Sequence, residues 1–300
     1  MNKIICLLAA ALVSVGLHAE IAVSDVKVFS GYPWKEVVVG YTITGTDADA
    51  SLFVTATDQS TKKSYMAKSV EGIDLSEGRH VLRWSPSADG VMFSSENIVI
   101  SLELVPCVQL WEGGPYWARC NVGAEKPEDY GYYFWWGDTV GYKRNVNDDG
   151  WVSVANGAAF SFGSGNCPTY GKSNTTLKSQ GYIDASGDLV TEYDAAAKHL
   201  GAPWRMPTAW EMRVLISKCT TSWTTRNGVY GRLVTGKGAY ASKSIFLPGD
   251  GSSGSYWSST PNSDYSAHAW YLHFDSSDFY RDYGDRYSGR TVRPVRGFAK

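Results

Sequence analysis

The sequence has little of several features that mark common classes of protein. Only five of its 300 residues are methionine, charged residues make up 19%, and the formal net charge is −2. Because a polyanion or an anionic membrane surface attracts proteins with a strong positive excess, we predict no nucleic-acid partner. No segment after the N-terminal region is apolar for long enough to form a transmembrane helix, so we also predict no membrane span.

What the sequence does contain is typical of a β-rich extracellular protein. Thirty-one glycines, 19 tyrosines and 12 tryptophans indicate many turns and many aromatic surfaces, which makes a helical bundle a poor description. The hydrophobic share of 43% is ordinary for a folded chain and excludes a disordered one.

Residues 1–19 have the pattern of a secretory signal. Lys3 supplies the positive start, Ile4 to Val15 form a short apolar core, and Ala19 is a small residue suited to cleavage. Cys6 lies inside the apolar core and not just after it, so we predict no lipid anchor. We therefore expect an exported protein that is secreted, periplasmic or held at the cell surface.

Four cysteines would remain after cleavage of the signal: Cys107, Cys120, Cys167 and Cys219. An even number of cysteines in an exported chain predicts up to two disulfides, and all three pairings stay open. Their wide spacing argues against a zinc site, which needs close pairs of ligands.

The alternation of apolar and polar residues predicts two domains after the signal. Residues 20–105 carry six or seven short strands separated by turn clusters, which predicts an immunoglobulin-like or fibronectin-like sandwich. Residues 106–300 combine glycine-rich loops, two helices and several strands, among them Val229 to Thr235 after an Asn227-Gly228 turn and Ala269 to Phe274. One helix covers Thr191 to Leu200, and the other begins with a capping box at Thr208 and Glu211. The predicted class of this second domain is α+β.

Five sequence blocks in residues 106–300 carry a resemblance to a known family. In chain order they are Trp117 to Thr139, Trp204 to Thr208, Ser244 to Pro248, Tyr256 to Ser259, and Val292 to Arg296. Their order resembles the Fibrobacter succinogenes major paralogous domain. The resemblance implies a C-type-lectin-like fold related to the formylglycine-generating enzyme, in a group of exported bacterial proteins.

The C-terminal segment resembles lectin-fold proteins that retroelements diversify, since a Tyr-Trp-Ser-Ser motif is followed by a Tyr- and Ser-rich stretch and then by Val-Arg-Pro-Val-Arg. Mutation of adenines in asparagine-type codons cannot produce Lys, Glu, Gln, Met or Trp. Between Pro261 and Arg290 the only residue of these types is Trp270. The composition also describes a solvated, turn-rich loop, but a binding surface is the interpretation we favour.

Tyrosine gives contact area at a small entropy cost, while Ser, Gly and Asp adapt their hydrogen bonds, as in antibody loops. We therefore predict that two loops, Asn262 to His268 and His273 to Tyr287, bind a protein or a glycan. The predicted ligand-binding residues are Asp264, Tyr265, His268, His273, Asp275, Asp278, Tyr280, Arg281, Asp282, Tyr283, Asp285, Arg286 and Tyr287.

The motifs that would support catalysis, a metal or a cofactor are incomplete. Formylglycine generation needs a reactive cysteine pair near the C-terminus, and no cysteine follows Cys219. Asn145, Asn147 and Asp149 resemble half of a calcium loop, but Asn156 stands where a bidentate glutamate belongs. We predict no enzyme, no metal and no cofactor. Two alternatives stay open: a formylglycine-generating-like oxidative enzyme, and a structural component of a surface or matrix.

Overall fold

The computed structural model describes residues 21–45, 47, 49–145 and 150–297, so the predicted signal at residues 1–19 lies outside the described residues. The chain divides into two compact units, residues 1–106 and 107–300. Each is built mainly from short strands.

The strands of the first unit form two sheets around one apolar core. They are β1 (Ala22–Val28), β2 (Val37–Thr44), β3 (Ala50–Asp58), β4 (Ser64–Met66), β5 (Val70–Glu71), β6 (Gly78–Trp84) and β7 (Ile98–Gln109). One sheet has the order β1-β2-β6-β5, and in the other β3 pairs with β4 and with residues 98–106 of β7. Successive side chains of a strand point to opposite faces, and Val37, Val39 and Tyr41 of β2 accordingly enter the core together.

The second unit contains several small sheets and three short α-helices among its described residues. Its strands are β8 (Tyr116–Ala118), β9 (Tyr142–Arg144), β10 (Trp151–Ser153), β11 (Ala159–Phe160), β12 (Trp204–Arg205), β13 (Thr220–Arg226), β14 (Val229–Thr235), β15 (Ser244–Pro248), β16 (Gly254–Pro261), β17 (His268–Phe274), β18 (Phe279–Asp285) and β19 (Val295–Arg296). The helices are α1 (Asn174–Ser179), α2 (Ala195–Leu200) and α3 (Ala209–Lys218). Three sheets have the orders β9-β10-β11, β13-β14-β15 and β16-β17-β18, while β19 lies between β12 and β8.

The predicted α+β class is wrong. Strands make up 41% of the structure and helices 13%, which describes a mostly β protein with several small separate sheets. The predicted helix at 191–200 shows why. A 3₁₀ turn at Thr191–Tyr193 stops at Asp194, which caps α2, and α2 ends after six residues at Gly201. Such helices fix loops and do not form a layer, and the structure does not establish the two domain architectures named with that class.

Two local predictions are confirmed. Thr208 and Glu211 form a reciprocal capping box at the start of α3, in which Oγ1 of Thr208 accepts from the Glu211 N–H at 3.1 Å and the Glu211 carboxylate accepts from the Thr208 N–H. Asn227 and Gly228 form the turn between β13 and β14, and both have positive φ as this tight hairpin requires.

The predicted disulfides are not formed in the structure. None of the four cysteines in the described residues forms a disulfide: Cys107, Cys120, Cys167 and Cys219. Burial raises the pKa of Cys219 to about 11, so this thiol stays protonated at neutral pH.

The sheet β16-β17-β18 lies between two apolar clusters of the second unit. Leu272 and Phe274 on one face pack into a cluster that also contains Met212 and Leu215 of α3. Ala269 and Tyr271 on the opposite face pack into the other cluster. Both faces are therefore partly covered, while Tyr280 and Tyr283 of β18 remain exposed.

Candidate functional site

The predicted ligand-binding segment is a β-hairpin and not a long loop. The predicted loop at His273 to Tyr287 contains the whole of β18, which pairs with β17 along seven residues from His268↔Asp285 to Phe274↔Phe279. The prediction failed there because a Tyr- and Asp-rich composition is common to loops and to half-exposed strands, and the cross-strand pairs decide between them. The hairpin holds its side chains in fixed register.

One end of this hairpin carries a group of stacked rings, which we call the aromatic patch: Tyr265, His268, Trp270 and Tyr283. The rings of Tyr265 and Tyr283 are 5.4 Å apart and nearly parallel, at 18°. The imidazole of His268 stacks on Tyr283 at 5.6 Å. Tyr265 and Tyr283 are 53% and 37% exposed, so their ring faces can be reached by a ligand.

Local hydrogen bonds hold the loop that presents Tyr265. Oδ1 of Asn262 accepts from the backbone N–H groups of Asp264 and Tyr265 at 2.8 and 3.0 Å, which is the Asx turn that asparagine favours. The Tyr265 carbonyl then accepts from the His268 N–H as β17 begins. Asp264 lies exposed beside Tyr265 at the rim of the patch.

Charged groups flank the aromatic patch at both ends. The guanidinium of Arg281 lies over the Trp270 ring at 4.1 Å, a favourable cation–π distance. Asp285 lies on the other side, with Oδ1 at 3.4 Å from Nε2 of His268. The Asp285 carboxylate also raises the pKa of Tyr287, mainly through a hydrogen bond between the two side chains.

Three of the predicted residues lie on the opposite face of the hairpin: His273, Tyr280 and Asp282. Nδ1 of His273 is 3.1 Å from Oγ of Ser255 on the neighbouring strand, and the ring of Tyr280 meets the imidazole edge-on at 5.2 Å. Asp282 accepts from the Tyr271 hydroxyl at 3.1 Å. Because strand residues alternate between faces, this group and the aromatic patch cannot contact one small ligand together.

The β17–β18 turn contains two further predicted residues in a structural role. Oδ1 of Asp275 accepts from the N–H groups of Ser277 and Asp278, and these hydrogen bonds lower the pKa of Asp275. The carbonyls of Asp275 and Asp278 accept from Arg232 of β14. This turn lies at the end of the hairpin away from the aromatic patch.

Arg286 is not a surface residue, which corrects its place among the predicted ligand contacts. Its side chain is fully buried, lies over the Trp136 ring at 4.9 Å, and donates to the carbonyls of Thr169, Lys172 and His268. Burial lowers the pKa of Arg286 to about 10, so the group stays charged at neutral pH. Its hydrogen bonds connect the loop that contains Thr169 and Lys172 to the end of β18.

Two residues outside the prediction lie close to the aromatic patch. Trp210 and Arg213 are exposed on α3, and the guanidinium of Arg213 lies 5.5 Å from the Trp210 ring. α3 packs against β16, β17 and β18. The sequence contained a signal for this pair, since residues three apart share a helix face and neither Trp210 nor Arg213 lies three or four residues from the buried Met212 or Leu215.

No group of three or more His, Cys, Asp or Glu side chains that could hold a metal ion occurs among the residues that the structure describes. Of the predicted half calcium loop, Asn147 and Asp149 lie outside the described residues. A cavity of about 490 Å³ beside α1 is lined by Asn174, Lys178, Ile183 and Gly187, among others, and none of the predicted ligand-binding residues borders it. Within 21–45, 47, 49–145 and 150–297, no helix is long and apolar enough to cross a membrane.

Residues 113–296 match the model of the family described as the Lcl C-terminal domain. No curated protein and no solved structure was found to match the chain. The family match supports a lectin-like domain, whereas the resemblances to the Fibrobacter domain and to retroelement-diversified proteins stay predictions. Since the match covers more than half of the chain, the protein belongs to the Lcl C-terminal domain family.

Proposed function

We propose that this is an exported binding protein whose lectin-like domain holds a protein or glycan ligand on the aromatic patch. The observation that carries the proposal is the exposure of mutually stacked rings on a hairpin whose register is fixed along seven residue pairs. Burial of a ring face on binding removes apolar area from water, and a preorganised ring loses little entropy. The patch therefore has the physical properties of a binding surface.

The hairpin supports the patch from beneath. Ala269 and Tyr271, which point to the face opposite His268 and Trp270, pack into an apolar cluster with Phe134 and Trp257. The strand that carries His268 and Trp270 therefore lies against a packed core. A binding site on strands keeps its geometry better than one on a free loop.

A double tyrosine variant and a matched control test the proposal. We expect Tyr265→Ala/Tyr283→Ala to lose at least ten-fold in the binding signal of the wild-type chain on glycan and extracellular-protein arrays, because both stacking surfaces are removed. Tyr230→Ala is the control, since Tyr230 is 53% exposed and stacks on Trp223 at 5.9 Å, but lies on β14. Undiminished binding by the double variant would refute the proposal.

Export is part of the proposal and is supported by the pattern of residues 1–19. Expression of the full chain in a Gram-negative host, followed by N-terminal sequencing of the protein outside the cytoplasm, tests it. We expect a mature chain that begins just after Ala19. A chain that stays cytoplasmic and keeps Met1 would contradict export.

We propose binding in preference to oxidative catalysis. Burial raises the pKa values of Cys120, Cys167 and Cys219, and the thiolate is the reactive form of cysteine. Oxidation of a cysteine-containing peptide in the presence of copper, lost when all four mature cysteines become alanine, would favour the enzyme alternative instead.

Diversification of the binding surface is a further part of the proposal. Deep sequencing of the gene in its source population should find substitutions at exposed positions such as Tyr265, Tyr280 and Tyr283. Arg286 should stay constant, although it lies in the same segment, because it is buried. Equal variation in codons 117–139 and 261–290 would oppose a diversified surface.

A further inference from the structure

A second pair of an indole and a guanidinium extends the aromatic patch onto α3. Trp210 is 57% exposed, which is unusual for so large an apolar side chain, and Arg213 lies against its ring. Nη1 of Arg281 donates to the Ala209 carbonyl at 3.2 Å and so joins β18 to the first turn of α3. Arg213 and Arg281 are close enough that the charge of Arg213 helps to lower the pKa of Arg281, after the larger effect of burial.

The two arginines form a cationic end of the surface. Neither makes an ion pair with any described residue, so their charges are available to a partner. Each guanidinium rests on a tryptophan ring, which orients its planar donors, and oriented guanidinium groups suit two-pronged hydrogen bonds to a carboxylate.

The opposite end of the same surface is acidic. Arg281, Tyr283 and Asp285 are alternate residues of β18 and therefore point to one face. At about 3.3 Å per residue, the Cα atoms of Arg281 and Asp285 at the two ends of this row are roughly 13 Å apart. Asp264 is also exposed and directly precedes Tyr265, whose ring lies 5.5 Å from that of His268, the neighbour of Asp285.

This order of charges favours one kind of occupant. A uniformly anionic polymer would meet Arg213 and Arg281 at one end but would bring negative charge onto Asp264 and Asp285 at the other. A neutral glycan would use the rings but would bring no charged group to Arg213, Arg281 or Asp264. Tryptophan, tyrosine and arginine are the residues that dominate protein–protein binding energy, and complementary charges fix the register of such contacts.

We propose, building on the proposed function, that the partner is an extended protein segment that lies along β18 from Arg213 to Asp264. It carries a carboxylate and a cationic side chain about 13 Å apart, with an apolar side chain between them for the rings. In an extended strand this distance corresponds to residues four apart.

Synthetic peptides and the full-length chain test the inference. The probes are seven-residue peptides with a central tryptophan and the patterns Glu-x-x-x-Lys, Glu-x-x-x-Glu or Lys-x-x-x-Lys, together with polygalacturonate as a polyanion. We expect the Glu-x-x-x-Lys peptide to bind at least ten-fold more tightly than either peptide with two like charges in titration calorimetry. Polygalacturonate should bind more weakly than this peptide.

Charge reversal at each end makes the test specific. Arg213→Glu should weaken the Glu-x-x-x-Lys peptide about ten-fold, and Asp264→Lys should shift the preference toward Glu-x-x-x-Glu. Lys218→Glu is the matched control, because Lys218 is also exposed on α3, at its last turn, and the charge change is the same. Circular dichroism should show an unchanged fold in all three variants.

Equal affinity for the three peptides, no peptide binding at all, or tighter binding of polygalacturonate would overturn the inference. These results leave the proposed function intact if Tyr265→Ala/Tyr283→Ala still abolishes the array signals. If that double variant instead keeps both the array signals and the peptide affinity, the proposed function is refuted and the inference falls with it.

Discussion

The arginines and tyrosines near the C-terminal end of the described chain differ in what their side chains contact. Arg286 and Arg293 are buried and donate to backbone carbonyls from other parts of the second unit. Tyr265 and Tyr283 contact mainly each other and their neighbours in the aromatic patch, and their rings remain partly exposed. The first pair connects segments that are far apart in sequence, whereas the second pair connects only the hairpin and its adjoining loop.

This difference teaches how such a domain can combine a fixed scaffold with a changeable surface. In a mostly β unit with short strands, loops cannot be held by strand pairing alone, so buried polar side chains satisfy their carbonyls. The exposed rings can then be substituted without the loss of a hydrogen bond that holds a loop in place. Four substitutions test this division, and we expect their effects on stability to fall in the order given below.

Arg293→Met should have the largest effect. Arg293 donates to the Ala118, Arg119 and Phe246 carbonyls and to Oδ1 of Asn121, all at 3.0 Å or less. Methionine has similar bulk but no donors, so several buried acceptors lose their partner and the free energy of unfolding should drop by about 4 kcal/mol.

Urea denaturation followed by tryptophan fluorescence measures this loss, because ten of the 12 tryptophans belong to the second unit. Arg213→Met, at an exposed site, is the control and should change stability by no more than about 0.5 kcal/mol. A similar loss in both variants would mean that burial of the guanidinium does not matter.

Arg286→Met should have the next largest effect, about 3 kcal/mol. Arg286 bonds three carbonyls, and its Nη2 is buried with no partner among the described residues, so the wild-type side chain is less completely satisfied than Arg293. Hydrogen exchange should show faster exchange around Thr169 and Lys172. Unchanged exchange there would contradict the role assigned to Arg286.

Local sequence signals account for part of this fold. The capping box at Thr208 and the Asn227-Gly228 turn depend on residues within three or four positions, and both were predicted correctly. The strand at 268–274 was also largely evident from its apolar and aromatic residues. The helix at 191–200 was overestimated, because its alanine run does not reveal that Asp194 stops one turn and starts another.

The sequence predicted which types of residue form the candidate site, but not how they are arranged. Arg281 and Arg286 belong to the same polar segment, yet Arg281 borders the aromatic patch while Arg286 is buried. The difference depends on Thr169 and Lys172, more than 110 residues earlier in the chain, which supply carbonyls to Arg286. No local pattern encodes such a contact, and for the same reason the pairing of α3 with the hairpin was not foreseen.

Asp194→Asn should have a smaller effect that depends on pH. Burial raises the pKa of Asp194 from 3.8 to about 6. Between these values the folded state binds more protons than the unfolded state, so this group's contribution to stability is present below pH 3.8 and is lost as pH rises through 6. The loss is of order 3 kcal/mol.

Asparagine stays neutral, so the variant should lack this pH-dependent component. It has one acceptor oxygen, whereas Asp194 accepts from Ala197 and from Met206 through separate oxygens, and this costs about 1 to 2 kcal/mol at every pH. Urea titrations at pH 4, 5, 6 and 7 should show the wild type losing stability relative to the variant as pH rises. Parallel curves would disprove the assignment to Asp194.

Tyr283→Ala should have the smallest effect on stability and a large effect on binding. The ring is partly exposed and its neighbours Tyr265, His268 and Trp270 are all close to the surface, so its loss should cost about 1 kcal/mol or less, as for an exposed cross-strand pair. Thermal unfolding of the full chain measures this cost. If Tyr283→Ala destabilised the unit as much as Arg286→Met does, the patch would be part of the scaffold. The exposure of its rings would then be a consequence of packing, and the contrast between fixed arginines and changeable tyrosines would not hold.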